Sequence, residues 1–147
     1  MIAIGSDHGG YKLKEEIKKY LDELGLDYID FGTDSELSVD YPDIASDVAL
    51  SVKNKESDFG ILVCRSGLGM AIVANKYKGI RAAPIYDETA AKYAKQHNNA
   101  NIIGIGADYV SVNAAINMVR IYLAAEFEER HMTRLRKIAE IEEKNMK

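Results

Sequence analysis

Short apolar runs alternate along this chain with longer stretches in which apolar residues recur every three or four positions. The first pattern suits a buried strand and the second an amphipathic helix. Residues 1–5 form the first β-type run, and Ser6-Asp7-His8-Gly9-Gly10 turn the chain. Over 11–24, Leu13, Ile17, Tyr20, Leu21 and Leu24 mark a helical stripe with lysines and glutamates between them, and Gly25 stops it. A second strand is expected over 26–31, closed by Gly32-Thr33. Pro42 suits the first turn of the next helix, with Asp40 or Tyr41 near its cap. Residues 44–52 continue that helix, with Ala45, Val48, Ala49 and Val52 on one face, and 53–58 read as a solvated loop.

The pattern then repeats. An apolar run at 60–63 ends in Cys64, Arg65-Ser66-Gly67-Leu68-Gly69 form a turn, and an Ala-rich helix follows over 70–75. A fourth strand is expected over 80–86, a helix over 87–96 ending at His97, and a polar turn at Asn98-Asn99-Ala100. Residues 101–106 make a fifth strand. A long amphipathic helix over 110–125 carries Val112, Ile116, Val119 and Leu123 along one stripe, and 128–147 form a last charged helix. Five β-type runs separated by helices predict a single doubly wound α/β domain over 1–147. Its five-stranded parallel sheet is Rossmann-like, with helices on both faces and a C-terminal helix. Ligands gather at the carboxyl ends of such strands. Those ends carry Asp7-His8, Gly32-Thr33, the 64–69 stretch, Tyr86-Asp87 and Gly106 to Asp108. His97 precedes the fifth strand, so topology alone does not bring it there.

Composition narrows the partners. At 147 residues and 47% hydrophobic, the chain is large enough for one well-buried domain. A net charge of −4 argues against a general nucleic-acid binder, which needs surplus Lys and Arg. No apolar run approaches the ~20 residues of a membrane span. The start, MIAIGSDHGG, lacks the basic and long apolar segments of a signal peptide. A single cysteine forms no internal disulfide, which fits the reducing cytoplasm.

The candidate chemistry centres on 59–76. Strand, glycine turn and helix aim backbone N–H groups into one space with a helix dipole behind them, a nest for a phosphate or a reaction oxyanion. Cys64 stands at its rim, where a thiolate would feel the same field; the alternative is a tight turn beside a buried cysteine. Asp7 and His8 offer a carboxylate and an imidazole for sugar hydroxyls or protons, or a helix cap and a turn residue. Asp40, Tyr41 and Asp43 read as a cap and first turn. His97 at a helix carboxyl end has a dipole explanation beside a catalytic one. The three histidines (His8, His97 and His131) lie far apart in sequence, and no metal site is expected. Arg130 and Arg134, at i and i+4, form either a phosphate clamp or a basic face balancing Glu126, Glu128 and Glu129.

GSDHGG, SVDYPD, GILVC-x-SGLGM-x-I-x-ANK, GIRAA, HNNAN and RH-x-x-R-x-x-KI follow one another in this order. Over nearly the whole chain they resemble the type B ribose-5-phosphate isomerase family, whose relatives include the galactose-6-phosphate isomerase subunits. The resemblance implies a cofactor-free aldose–ketose isomerisation of ribose 5-phosphate and ribulose 5-phosphate through a cis-enediolate, a step of the pentose phosphate pathway. It implies a homodimer, often paired into tetramers, with each active site built from two subunits. By motif position Cys64 is the base. Met70 stands where some members carry glutamate, and methionine takes no proton. Ser66 and the backbone of Gly67 to Gly69 would meet the enediolate oxygens. His97 and Asp7 would open the sugar ring, Asn98 would hold sugar hydroxyls, and His8, Arg130 and Arg134 the phosphate.

Two positions depart from the family pattern. Arg65 follows the cysteine where glycine is usual, and Asp108 replaces a phosphate-binding arginine after strand five. Arg65 is expected to replace part of the missing phosphate contact or to reshape the sugar pocket. The alternatives are an isomerase of a hexose 6-phosphate or of an unphosphorylated sugar, or a non-catalytic sugar-phosphate-binding protein. A receiver module would need a phosphoacceptor aspartate where Cys64 stands. A nucleotide-binding domain would need G-x-G-x-x-G after strand one, which is absent.

Overall fold

The computed structural model describes residues 1–37 and 39–146. Five strands form one parallel sheet: β1 (Ile2–Ser6), β2 (Tyr28–Asp30), β3 (Phe59–Cys64), β4 (Ala82–Ile85) and β5 (Ile102–Gly106). Their spatial order is β2-β1-β3-β5-β4. The helices are α1 (Tyr11–Glu23), α2 (Tyr41–Lys53), α3 (Gly69–Ala74), α4 (Glu88–Gln96), α5 (Val112–Ala124) and α6 (Met132–Asn145). The expected doubly wound α/β fold is what forms.

β1 and β5 are buried along their whole length, as continuous apolar runs in a sheet covered on both faces must be. One core packs Ile4, Ile61, Val63, Ile103 and Ile105 under α1, α4 and α5. The other packs Ala3, Leu62, Cys64 and Ile102 under α2 and α3. Among the described residues no helix is long and apolar enough to cross a membrane.

Several boundaries differ from expectation for physical reasons. β2 is only three residues long, an edge strand, and Leu26 lies before it and is exposed. The buried stripe of α5 is Ala115, Met118, Val119 and Tyr122, while Val112 is exposed. Tyr122 takes the core position because its hydroxyl donates to the buried Ala100 carbonyl, satisfying its one polar atom. The last helix starts at Met132 rather than 128, because Glu128 is extended and its N–H donates to the Gln96 carbonyl at 2.9 Å. A 3-10 turn, Glu129–His131, intervenes, so Arg130 precedes the helix that carries Arg134. The expected end at Lys147 and the first residue of the SVDYPD motif, Ser38, lie outside the described residues.

Lys14, on the stripe of α1 between apolar residues, is fully buried. Its ammonium donates to both Asp30 carboxylate oxygens at 2.8 Å and to the Thr33 carbonyl, and Lys18 reaches Asp30 at 2.8 Å. This network fastens the end of β2 to α1. Burial alone would raise the Asp30 carboxyl, but hydrogen bonds from Lys14, Lys18 and the Gly32 N–H outweigh it and hold it below the ordinary aspartate value. A carboxylate held low when folded stabilises the fold above its unfolded value of about 3.9, and that contribution is lost as pH falls through the folded value. Urea denaturation across the acid range should therefore show a steeper loss for wild type below about pH 4 than for Asp30→Asn. Lys14→Ala should cost about 3 kcal/mol at neutral pH, and a loss under about 1 kcal/mol would show that the pair is not desolvated.

Candidate active site

The winding of the sheet reverses between β1 and β3. The chain leaves β1 toward β2 on one side and leaves β3 toward β4 on the other, so the loops at their carboxyl ends part and leave a crevice. Ser6 pairs in register with Val63, which sets Asp7 and Cys64 side by side at its floor. The Asp7 N–H donates to the Val63 carbonyl at 3.2 Å, and Asp7 Oδ1 accepts the Gly10 N–H at 3.0 Å. Gly10 is required by close approach, since a Cβ there would stand 2.3 Å from the Val63 carbonyl oxygen. Asp7 is thus both the cap of the 3-10 turn His8–Gly10 and a nearly buried carboxylate in the crevice.

Cys64 is 5% exposed, and its Sγ accepts the Gly67 N–H at 3.1 Å. The Leu68 N–H donates to Ser66 Oγ at 3.2 Å. These two N–H groups of the turn point at the turn's own sulfur and hydroxyl, not at open space, and the Gly67 N–H is the one aimed at Cys64. Gly67 holds φ at +76°, and a Cβ there would stand 3.0 Å from the Ile105 carbonyl carbon, so the turn lies directly on β5. The Ala107 and Asp108 N–H groups donate to the Cys64 and Arg65 carbonyls at 2.8 and 3.0 Å, which closes this side. His8 Nδ1 accepts the Val39 N–H at 3.3 Å, which leaves Nε2 as the protonated, donating nitrogen. The ring of Tyr41 lies against Gly69.

Arg65 and Asp108 meet. Arg65 Nε stands 3.7 Å from Asp108 Oδ2, and the Arg65 side chain runs over Gly9, still 73% exposed. The cation gained and the cation lost relative to the family pattern thus form one ion pair at the mouth of the crevice.

His97, Asn98, Arg130 and Arg134 are elsewhere. They gather around the carboxyl end of α4 and the turn before α6, at the amino end of β5. A five-residue strand puts the two ends of the sheet roughly 17 Å apart. His97 stacks on Tyr93 with ring centroids 4.1 Å apart and lies 4.6 Å from the ring of His131. Glu128 Oε1 is 3.6 Å from His97 Nε2, 4.0 Å from His131 Nε2 and 3.2 Å from the Arg130 guanidinium. Burial, then the neighbouring Arg130, His97 and Arg134, lower the His131 imidazole below its ordinary value. Donor atoms of His97, Glu128 and His131 all lie within 4.8 Å of one another. Sequence reasoning missed Glu128 and His131 as members of this cluster. The signal was there in their i, i+3 spacing beside the RH motif. A cavity of about 680 Å³ also opens at the amino ends, lined by Lys53, Arg81, Lys95 and Tyr122 among others and remote from Cys64.

The candidate residues therefore fall in two clusters at opposite ends of the sheet. Gly67→Ala strains the turn against β5 and should lower stability by about 1–3 kcal/mol in thermal unfolding, with a parallel loss of activity. Wild-type stability in that variant would show that the turn tolerates another conformation.

A family model described as Ribose/Galactose Isomerase matches residues 2–138. The solved structure of a ribose-5-phosphate isomerase B from Clostridium thermocellum is 49% identical, with a TM-score of 0.95 and 97% of each chain covered. The ribose-5-phosphate isomerase B of Escherichia coli strain K12 is 42% identical over 144 residues, 97% of each chain. A D-erythrulose-4-phosphate isomerase of Pectobacterium atrosepticum is 41% identical over 128 residues, 86% of this chain and 84% of that one.

Proposed function

We propose that this chain, which belongs to the ribose/galactose isomerase family, interconverts ribose 5-phosphate and ribulose 5-phosphate. The family sets the reaction class: the protein is a sugar-phosphate isomerase of the ribose-5-phosphate isomerase B type. The observation that carries the finer reading is the Gly67 N–H on Cys64 Sγ, beside Asp7 in a crevice that the fold opens. In the open-chain aldose the Cys64 thiolate takes the C2 proton, and the electron pair moves through C1 to the carbonyl oxygen. In the resulting cis-enediolate the proton on O2 passes to O1, Cys64 returns its proton to C1, and the oxygen on C2 becomes the carbonyl. Electrons are redistributed within the sugar, and no external oxidant is needed. The developing oxyanion falls to Ser66 and the N–H groups of the 67–69 stretch, with those of Gly67 and Leu68 turning to it from Cys64 Sγ and Ser66 Oγ.

Ring opening falls to His97 with Asp7, the sugar hydroxyls to Asn98, and the phosphate to Arg130 and Arg134 with His8, Asp7 and His8 lying on the other side. The separation of the half-sites supports a homodimer in which the carboxyl-end cluster of one copy meets the amino-end cluster of a second. A two-fold axis makes two such sites at once. The reducing cytoplasm suits a catalytic thiol.

Cys64→Ala should lower kcat by about 10²- to 10⁴-fold with little change in KM; near-normal turnover would reassign the base. If the site is shared, unfolding and refolding equal amounts of Cys64→Ala and His97→Asn together should restore about a quarter of wild-type activity, since half the dimers then hold one intact site. No recovery would mean that each chain completes its own site.

Substrate length is the second question, because a relative at 41% identity is a D-erythrulose-4-phosphate isomerase. A coupled assay over tetrose, pentose and hexose phosphates and the free sugars should give the highest kcat/KM for ribose 5-phosphate. A tenfold preference for another sugar would reassign the substrate. Arg65→Gly in the same assay should shift the ranking, because Arg65 and Asp108 form the charged part of the mouth. An unchanged ranking would remove Arg65 from specificity.

A further inference from the structure

His131 Nε2 is buried and accepts or donates no hydrogen bond among the described residues. Buried polar atoms are nearly always partnered, so such an atom marks a place where a ligand would find an unused lone pair. It faces Glu128 Oε1 at 4.0 Å, and His97 Nε2 faces the same oxygen at 3.6 Å. We propose that His97, His131 and Glu128 form a binding site for a zinc-class divalent ion, and that the bound ion inhibits the enzyme by occupying His97.

The donor set fits that class of ion. Two imidazole nitrogens and one carboxylate oxygen are a common ligand set for Zn²⁺ with a fourth position left to water. Tetrahedral Zn²⁺ with bonds of about 2.0–2.2 Å holds its donors roughly 3.3 Å apart. The distances of 3.6 and 4.0 Å, with all donors within 4.8 Å of one another, are therefore expanded, and binding draws the side chains in. Half-exposed His97 and Glu128 give the ion a path in and leave its fourth position open. The Arg130 guanidinium holds Glu128 Oε1 at 3.2 Å, and the ion takes its place. That competition, with Arg134 also nearby, keeps binding reversible and inhibitory rather than structural.

The consequence rests on His97 being the ring-opening residue. An imidazole nitrogen bonded to Zn²⁺ transfers no proton, so the ion competes with the closed-ring sugar.

Co²⁺ is the probe for binding, because its visible absorption reports tetrahedral nitrogen and oxygen ligands. The titration uses the full chain in a Cys64→Ala background, so that no thiolate competes. One Co²⁺ per chain should bind with tetrahedral bands, and adding Glu128→Gln, a half-exposed position, should weaken it about 10-fold or more. His131→Gln should do the same if it folds. Absence of the bands, or a spectrum and affinity unchanged by Glu128→Gln, overturns the site. Turnover of the Cys64-containing enzyme should fall with Zn²⁺, and Glu128→Gln should move the inhibition to about 10-fold higher Zn²⁺. Binding through Glu128 with turnover untouched supports the metal site and overturns His97 as the ring-opening residue.

Discussion

The arrangement of the molecule depends on one topological constraint. Right-handed crossovers allow a parallel sheet to be wound outward in two directions from a single point, and here that point lies between β1 and β3. The reversal puts α1 on one face and α2 and α3 on the other. It parts the loops that carry Asp7 and Cys64. It also fixes what is absent from the crevice between them. Every residue that precedes a strand, His97 among them, is carried to the far end of the sheet.

If the site is shared between two copies, as proposed, each half must be rigid before the other arrives, since association already costs translational and rotational freedom. The packing supplies that rigidity at both ends. At the carboxyl end the Gly67 turn rests on the β5 backbone, and Gly10 rests on Val63, so Cys64 is fixed by main-chain contacts on two sides. At the amino end the Glu128 N–H is tied to the end of α4, and Tyr93 stacks under His97. The sheet between them is fastened at its β2 edge by the buried Lys14 and Asp30. Replacement of that pair by apolar groups would stabilise equally well, so its contribution is specificity of register for a three-residue strand.

Much of this was legible in the sequence. Five apolar runs with helical stripes between them identify the α/β class, and the GILVCRSGLGM stretch locates the crevice turn and its helix. What stayed hidden has one physical origin: periodicity describes a residue's face, not its partner. Lys14 interrupts an apolar stripe and reads as solvated, yet Asp30 on a neighbouring strand makes its burial favourable. Tyr122 reads as one aromatic among several, but its hydroxyl finds the Ala100 carbonyl across the core and displaces the predicted stripe of α5. His97 and His131 look unrelated by sequence distance. The chain returns to α4 through the Glu128 backbone, and no local pattern records that return. The turn before α6 was hidden likewise, which made Arg130 and Arg134 look like neighbours on one helix.

The charges around both half-sites follow a common rule. Arg65 is answered by Asp108, and Arg130 by Glu128, within the same chain. Exposed pairs of this kind are worth only about 0–1 kcal/mol, so an arriving phosphate dianion displaces either carboxylate at small cost. The family pattern of glycine and arginine leaves one unpaired cation at the mouth of the crevice, whereas Arg65 with Asp108 sums to zero. If His8, Arg130 and Arg134 hold the phosphate, as proposed, the attraction for the anion has moved toward the amino-end half-site. Phosphate recognition then depends more heavily on the second copy, and the Arg65 pair is left to act on the sugar rather than on its charge.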